Sequence, residues 1–274
     1  MRRINLLRSA RLSRDGAKRP SNFVRLLFLV LAFAAPARAQ AGSDARARAD
    51  DAAALTRLGF DYVRSGQYGN AVEALKRAVR LQPESADAFY LLGVSYNNMD
   101  LYDDAIASFE RAVRLKPGWG EAFGGLGVAY NCARRFEESL AALRRALSLE
   151  PGWAQGYVNL SATYANLRRF KEAAEAARLA VRLDPRLAEA HYRLGRAYCF
   201  LGERKRAVES LRRAVGLRPD YAEAHADLCA VYLLLGDRDA ALEEYRRVRA
   251  LNAGLADDLY RMIYKDKLLA ANSK

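Results

Sequence analysis

With two histidines and three cysteines in 274 residues, the chain has few ligands for metal or redox chemistry. Cys132, Cys199 and Cys229 show no CxxC or Cys/His spacing that would collect a structural zinc, and three cysteines are too few for a disulfide scaffold. Three free thiols and no bound metal are therefore expected. Long apolar runs are also missing: Leu26–Ala35, LLFLVLAFAA, spans ten residues, against the roughly 20 needed to cross a bilayer as a helix. There is no GxSxG, no phosphate loop, no HExxH and no carboxylate pair without another explanation, so no catalytic residues, no cofactor and no enzymatic activity are expected. Half-apolar composition, 51%, excludes disorder except at the ends.

Acid is the scarcer charge, with 32 Asp and Glu against 45 Lys and Arg, for a net +13. Nine of those bases and only one acid, Asp15, precede Gln40. A net +8 thus belongs to a leader, and a net +5 to everything after it. The leader combines a basic stretch, the ten-residue apolar run, Pro36 and the small-residue signature Ala37-Arg38-Ala39, which reads as a secretory signal over 1–39 with cleavage near 39–41. Two alternatives stay open, a disordered basic leader and an uncleaved segment that tethers the chain to the inner membrane. Export to the periplasm or out of the cell is the expectation, with membrane contact only if the segment stays uncleaved. Residues 40–51 read as a short linker.

Only seven prolines occur, yet Pro83, Pro117, Pro151, Pro185 and Pro219 follow one another every 34 residues. Such spacing marks an array of repeats. Aligned on them, Gly59, Gly93, Gly127 and Gly195 share a column with Ser161 and Cys229, and Tyr62, Tyr96, Tyr130, Tyr164, Tyr198 and Tyr232 share another. Small residues recur at Ala71, Ala105, Ser139, Ala173, Ala207 and Ala241, and again at Ala78, Ala112, Ala146, Ala180 and Ala214. Six copies occupy 52–255. Each contains two stretches of helical period with a break between them, where Gly66, Gly202 and Gly236 stand in three copies. The proline then separates one copy from the next.

Leu92-Gly93, Tyr96, Ala105, Phe109, Ala112 and Pro117 carry a resemblance to the tetratricopeptide repeats, over about three quarters of the chain. The resemblance implies an all-α, right-handed superhelical solenoid of helix–turn–helix repeats, in which first helices line a concave channel and second helices form the outside. It implies a protein or peptide partner and says almost nothing else about function. The lysine-and-asparagine clamp that family members use for chaperone C-terminal carboxylates is not reproduced: Thr56 and Phe60 stand at its first positions. The sixth copy departs from the pattern at Val248 and Ala253. Residues 256–271, with Leu259, Met262, Ile263 and Leu268 among charged neighbours, read as a helix capping the last repeat; a membrane-surface helix is the alternative.

The channel stripe left free by the packing columns offers Tyr90, Asn97, Asn98, Asn131, Asn166, Tyr192, Arg193 and Arg196. Asparagine amides both donate and accept, so a row of them can bond the peptide groups of an extended chain, and the arginines can pair a carboxylate on it. The bland alternative for the asparagines is local bonding at helix ends. A basic column on the second helices, Lys76-Arg77, Arg144-Arg145, Arg178, Arg212-Arg213 and Arg246-Arg247, is accompanied in four of its five copies by Glu73, Glu175, Glu209 and Glu243 at ion-pair spacing, which argues against a nucleic-acid partner. His191 and His225 replace Phe89, Phe123 and Tyr157 of other copies and are expected as packing substitutes. The expected function is an exported, non-catalytic scaffold that binds an extended peptide or partner protein in its concave groove. Alternatives are a membrane-tethered assembly factor acting through its convex surface and an accessory subunit of an enzyme.

Overall fold

A computed structural model describes residues 46–261, and every described element is helical. The leader 1–39, most of the linker and the distal part of the expected cap, 262–271, lie outside those residues. The chain divides into two compact units, 1–50 and 51–274, and all six repeats lie in the second. Thirteen helices succeed one another among the described residues: α1 (46–64), α2 (Tyr68–Leu81), α3 (Ala86–Asn98), α4 (Tyr102–Leu115), α5 (Gly120–Cys132), α6 (Phe136–Leu149), α7 (Ala154–Asn166), α8 (Phe170–Leu183), α9 (Ala188–Phe200), α10 (Arg204–Leu217), α11 (Ala222–Leu235), α12 (Arg238–Leu251) and α13 (253–261). They pair in order as antiparallel hairpins, one per repeat, and build a right-handed superhelical solenoid. Odd helices touch the next odd helix, α3 to α5, α5 to α7, α7 to α9 and α9 to α11, whereas the described even helices do not touch one another. The odd helices are therefore the inner layer.

Each hairpin turns through one left-handed residue. Gly66, Gly202 and Gly236 take it at φ of 73°, 76° and 80°, and Asp100, Arg134 and Arg168 take the same place at 59°, 61° and 59°. Within the hairpin, the glycine column fixes how near the two helices come. A Cβ at Gly59, Gly93, Gly127 or Gly195 would lie 2.5 to 2.7 Å from Leu75, Phe109, Leu143 or Leu211, the residue sixteen places on. Those partners are buried, and Leu75, Leu143 and Leu211 wholly so.

The fourth repeat solves the same fit with the sizes exchanged. Ser161 stands in the glycine column, and the residue opposite shrinks to Ala177, also fully buried. The serine hydroxyl donates to the Ala173 carbonyl at 2.8 Å, which removes the cost of burying it. In the sixth, Cys229 fills the column and lies 3.2 Å from the Ala241 carbonyl oxygen. One apolar cluster runs from Ala71 to Ala142 and a second from Leu140 to Val231, so the core is continuous along the array. At the end of the array Ala256 and Leu259 of α13 pack on Ala226 and Val248.

On the outer surface, Arg247 bonds Glu243 at 2.7 Å, as the spacing predicts. Glu73, Glu175 and Glu209 form no ion pair among the described residues, and several outer cations lie over aromatic rings. Lys76 lies over Tyr96, Arg111 over Phe89 and Arg145 over Phe123 at 5.7, 5.8 and 5.9 Å, and Arg144 donates to the Tyr164 hydroxyl at 2.9 Å.

The exchanged fit generates a test in the fifth repeat. Gly195→Ser alone should destabilise by about 1–3 kcal/mol through overpacking on Leu211, and Leu211→Ala alone by about 2–5 kcal/mol through the cavity left. The double variant reproduces the pair found in the fourth repeat, so denaturant melts should show it less destabilised than the sum by about 1–2 kcal/mol. Additive losses would show that the column is not a steric pair.

Candidate functional site

The inner surface is built where one odd helix meets the next, and the residue after each Pro-x pair decides whether that junction is closed. That residue is the N-cap of the odd helix, a place that favours Ser, Thr, Asp or Asn. Here it is Trp119, Trp153, Leu187 and Tyr221, none of which caps by its side chain. Each instead folds back on the preceding odd helix, 29 residues earlier. Trp119 lies tilted against Tyr90 with ring centroids 4.6 Å apart, and Tyr221 lies 4.8 Å from Tyr192. A Cβ at Gly124 would meet Trp153 at 2.4 Å, and Leu187 packs on the cluster holding Val158. The stripe position Tyr90, Gly124, Val158, Tyr192 is thus a packing column between repeats.

The first junction differs. Ser85 takes the N-cap place, accepts from the Ala88 amide at 3.3 Å, and stands 29 residues beyond Thr56. Two small residues leave the junction unfilled. A cavity of about 750 Å³ opens there, lined among others by Thr56, Arg57, Phe60, Asp87, Tyr90 and Trp119. Phe60 is 46% exposed, and Tyr90 is half-buried between Trp119 and Phe109. Burial and then Glu121 raise the Tyr90 phenol above its ordinary range. Arg57 and Asp87 form no ion pair among the described residues, so both charges face the cavity or solvent. Tyr90 was legible in the sequence; Arg57 and Trp119 were not. The available signal was the change from bulky to small residues along the column Ser85, Trp119, Trp153, Leu187, Tyr221.

Farther along the inner face, most of the polar side chains already have partners. Asn98 donates to the Val94 carbonyl on its own helix at 2.8 Å, the local bonding typical of helix ends. Asn131 donates to Thr163 at 2.7 Å and accepts from Asn166 at 3.0 Å, which ties α5 to α7. Asn97 keeps a buried side-chain oxygen with no hydrogen-bond partner among the described residues. Tyr192 is only 8% exposed, and burial pushes its phenol up. Arg193 pairs with Glu189 at 3.0 Å, and Gln155 bonds the second oxygen of that carboxylate at 3.1 Å. Arg196 lies 3.4 Å from Asp227, whose carboxyl burial raises while Arg196 and Tyr192 oppose the shift. Of the expected stripe residues only Tyr90 lines the cavity, and Asn97 stands on the same helix with its amide oxygen buried. Both arginines are already matched by acids of the protein, and Asp227, which completes that match from the next repeat, was not foreseen.

Three family models, each describing a tetratricopeptide repeat, match residues 56–118 and 99–157, 154–187, and 201–264. The chain belongs to the tetratricopeptide-repeat family. Among solved structures, the fold is shared with a chain of the APC/C hetero-tetramer Cut9-Hcn1 at 18% identity and a TM-score of 0.69, covering 77% of this chain and 42% of that one. This chain therefore spans less than half of that relative's length. PilW, a widely conserved type IV pilus biogenesis factor, is 22% identical with a TM-score of 0.69 over 77% of this chain and 98% of its own. YrrB, a tetratricopeptide-repeat protein with an unusual peptide-binding site, is 20% identical with a TM-score of 0.54 over 69% of this chain and 99% of its own. No curated protein matches the chain. At these identities the likeness is one of fold, and fold alone does not settle function.

The thiols yield a test of how closed the repeats are. All three cysteines are free. Burial raises each of them, with Cys199 and Cys229 pushed up to about 11 and the exposed Cys132 raised by burial and then Asp100. A raised thiol is neutral at pH 8, and the thiolate is the nucleophile. Iodoacetamide at that pH should label Cys132 first and the other two about a hundredfold more slowly than in denaturant. Equal labelling rates in the native state, read by mass spectrometry, would contradict the packing described.

Proposed function

We propose that the chain is an exported, non-catalytic scaffold that binds an extended segment of a partner protein on its inner face, centred on the first inter-repeat junction. The observation that carries this reading is the unfilled junction itself. Four junctions are closed by Trp119, Trp153, Leu187 and Tyr221, and one is left as an aromatic-walled cavity with a cation and a carboxylate that no described residue pairs. Aromatic side chains beside a few convergent polar groups are the usual anchors of a peptide interface. Asn97, about two turns along α3 from Tyr90, lies on the same stripe, with a buried amide oxygen that has no hydrogen-bond partner among the described residues. The remaining inner-face residues, Asn98, Asn131, Asn166, Tyr192, Arg193 and Arg196, continue the path along which a longer segment would lie. YrrB, as a peptide-binding protein of the same fold, supports the reading, and PilW is compatible with export.

Two experiments test it. Ser85→Trp places in the first junction the residue that closes the second and third, and should weaken partner binding at least tenfold while the far-ultraviolet spectrum stays unchanged. A photo-crosslinking amino acid at position 90 should capture the partner, and one at position 144 on the outer surface should not. Capture from position 144 alone would overturn the reading. Export is tested by mass spectrometry of the mature N-terminus, expected at Gln40 or Gly42. A mature chain that retains Leu26–Ala35 would favour the tethered assembly factor instead.

A further inference from the structure

The outer groove between successive even helices is floored by the odd helix between them, and one position of that floor decides what fills it. In the second and third repeats the position is Phe89 or Phe123, covered by Arg111 or Arg145 of the same repeat. In the fifth and sixth it is His191 or His225. Both imidazoles are held in one way, with Nε2 3.0 Å from the carbonyl oxygen of the proline six residues earlier, Pro185 or Pro219. A carbonyl only accepts, so Nε2 carries a proton and Nδ1 is left for another partner.

That partner differs between the two repeats. In the sixth, Glu244 supplies it: one carboxylate oxygen lies 2.5 Å from His225 Nδ1, and the other accepts from Arg247 Nη1 at 3.2 Å. The fifth repeat keeps the frame, with His191 for His225 and Arg213 for Arg247, but has Ser210 where the sixth has Glu244. The serine hydroxyl turns back to the Arg206 carbonyl at 2.9 Å. At this place there is a cavity of about 710 Å³, lined by His191, Arg206, Ser210, Arg212 and Arg213, with Glu209 its one acid. Arg212 and Arg213 form no ion pair among the described residues, while Arg206 bonds Glu203 and the Tyr198 hydroxyl. Arg206 also reverses a sign: the same place is Asp104, Glu138 and Glu172 in the second, third and fourth repeats.

We propose that the outer cavity of the fifth repeat binds a carboxylate from an acidic segment of a partner protein, seated between His191 and Arg213 as Glu244 is seated between His225 and Arg247. The sixth repeat is the internal template. It shows that this frame, presented by the same backbone, seats a carboxyl group between the ring and a guanidinium: Arg247 donates to one oxygen, and the short contact from the other to Nδ1 requires a second proton, on the ring or on the carboxyl itself. The basic surroundings favour an acidic segment over an isolated acid and raise its encounter rate. The site is on the opposite surface from the inner-face cavity and stands independently of it.

The test uses the full chain and fluorescent hexaglutamate capped at both ends, read by anisotropy at low salt, with capped hexaglutamine as the neutral control. Hexaglutamate should bind and hexaglutamine should not. Arg213→Ala should weaken binding at least tenfold. Ser210→Glu, which gives the fifth repeat the carboxylate that the sixth already carries, should weaken it as much while leaving the thermal midpoint unchanged or higher. Arg111→Ala, in the same column but stacked on Phe89, should leave the affinity within about twofold. A hexaglutamine with a free C-terminal carboxylate distinguishes a chain end from acidic side chains as the source of the group. The inference is overturned if hexaglutamate does not bind, if Ser210→Glu binds it as the unaltered chain does, or if Arg111→Ala costs as much as Arg213→Ala. Ser85→Trp should leave hexaglutamate binding intact, so the two sites fail separately.

Discussion

The close crossing of the two helices in each repeat is the constraint on which the rest depends. A glycine faces a leucine or phenylalanine at a separation that leaves no room for a single added carbon, and where the glycine becomes Ser161 the opposing residue shrinks to Ala177. In the fourth repeat one side gains bulk and the other loses it. With that distance fixed, the odd helix has one face given to its own partner and another to the next repeat, and only a narrow remainder reaches solvent. The array can lengthen repeat by repeat because each new hairpin meets the same demand.

Joining repeats sets a second demand, met by giving up a local advantage. An N-cap side chain that bonds the first turn is worth about 1 kcal/mol, yet four odd helices place Trp, Trp, Leu and Tyr there and forgo it. These side chains are partly buried against the preceding repeat, a contribution on the order of 1–2 kcal/mol each, which offsets the lost cap. Ser85 makes the opposite choice, and the junction it leaves open holds a cavity. The open junction follows from a single exchange within an otherwise uniform rule.

These two demands explain what was legible in the sequence and what was not. Period, helix pairs and inner layer follow from columns 34 residues apart, because each column has one packing role repeated. Tyr90 and the glycine column could be placed from that alone. The state of Tyr192, Asn131, Asn166, Arg193 and Arg196 could not, since it depends on partners whose side chains happen to match in size or charge, most of them in the next repeat: Tyr221, Thr163, Asp227. The outer cations illustrate the same limit. Glu73, three residues before Lys76, predicts an ion pair, but the Tyr96 ring of the neighbouring helix lies under Lys76, and Arg111 and Arg145 lie over Phe89 and Phe123 in the same way. A cation over a partly desolvated ring gains as much as an exposed pair does, and the ring is held rigid by the core.

Function in such an array therefore sits where one copy departs from the others at a position that packing leaves free. Most departures are compensated inside the protein, as Ser161 is by Ala177 and His225 by Glu244. Two are not. Ser85 exchanges a bulky residue for a small one with only Thr56 opposite, and Ser210 exchanges a carboxylate for a hydroxyl that bonds its own helix and leaves His191 and Arg213 without the acid their sixth-repeat counterparts hold. An uncompensated departure costs the isolated chain packing or charge balance. On the reading proposed above, another molecule supplies what the neighbouring repeat does not, an apolar side chain in the first case and a carboxylate in the second.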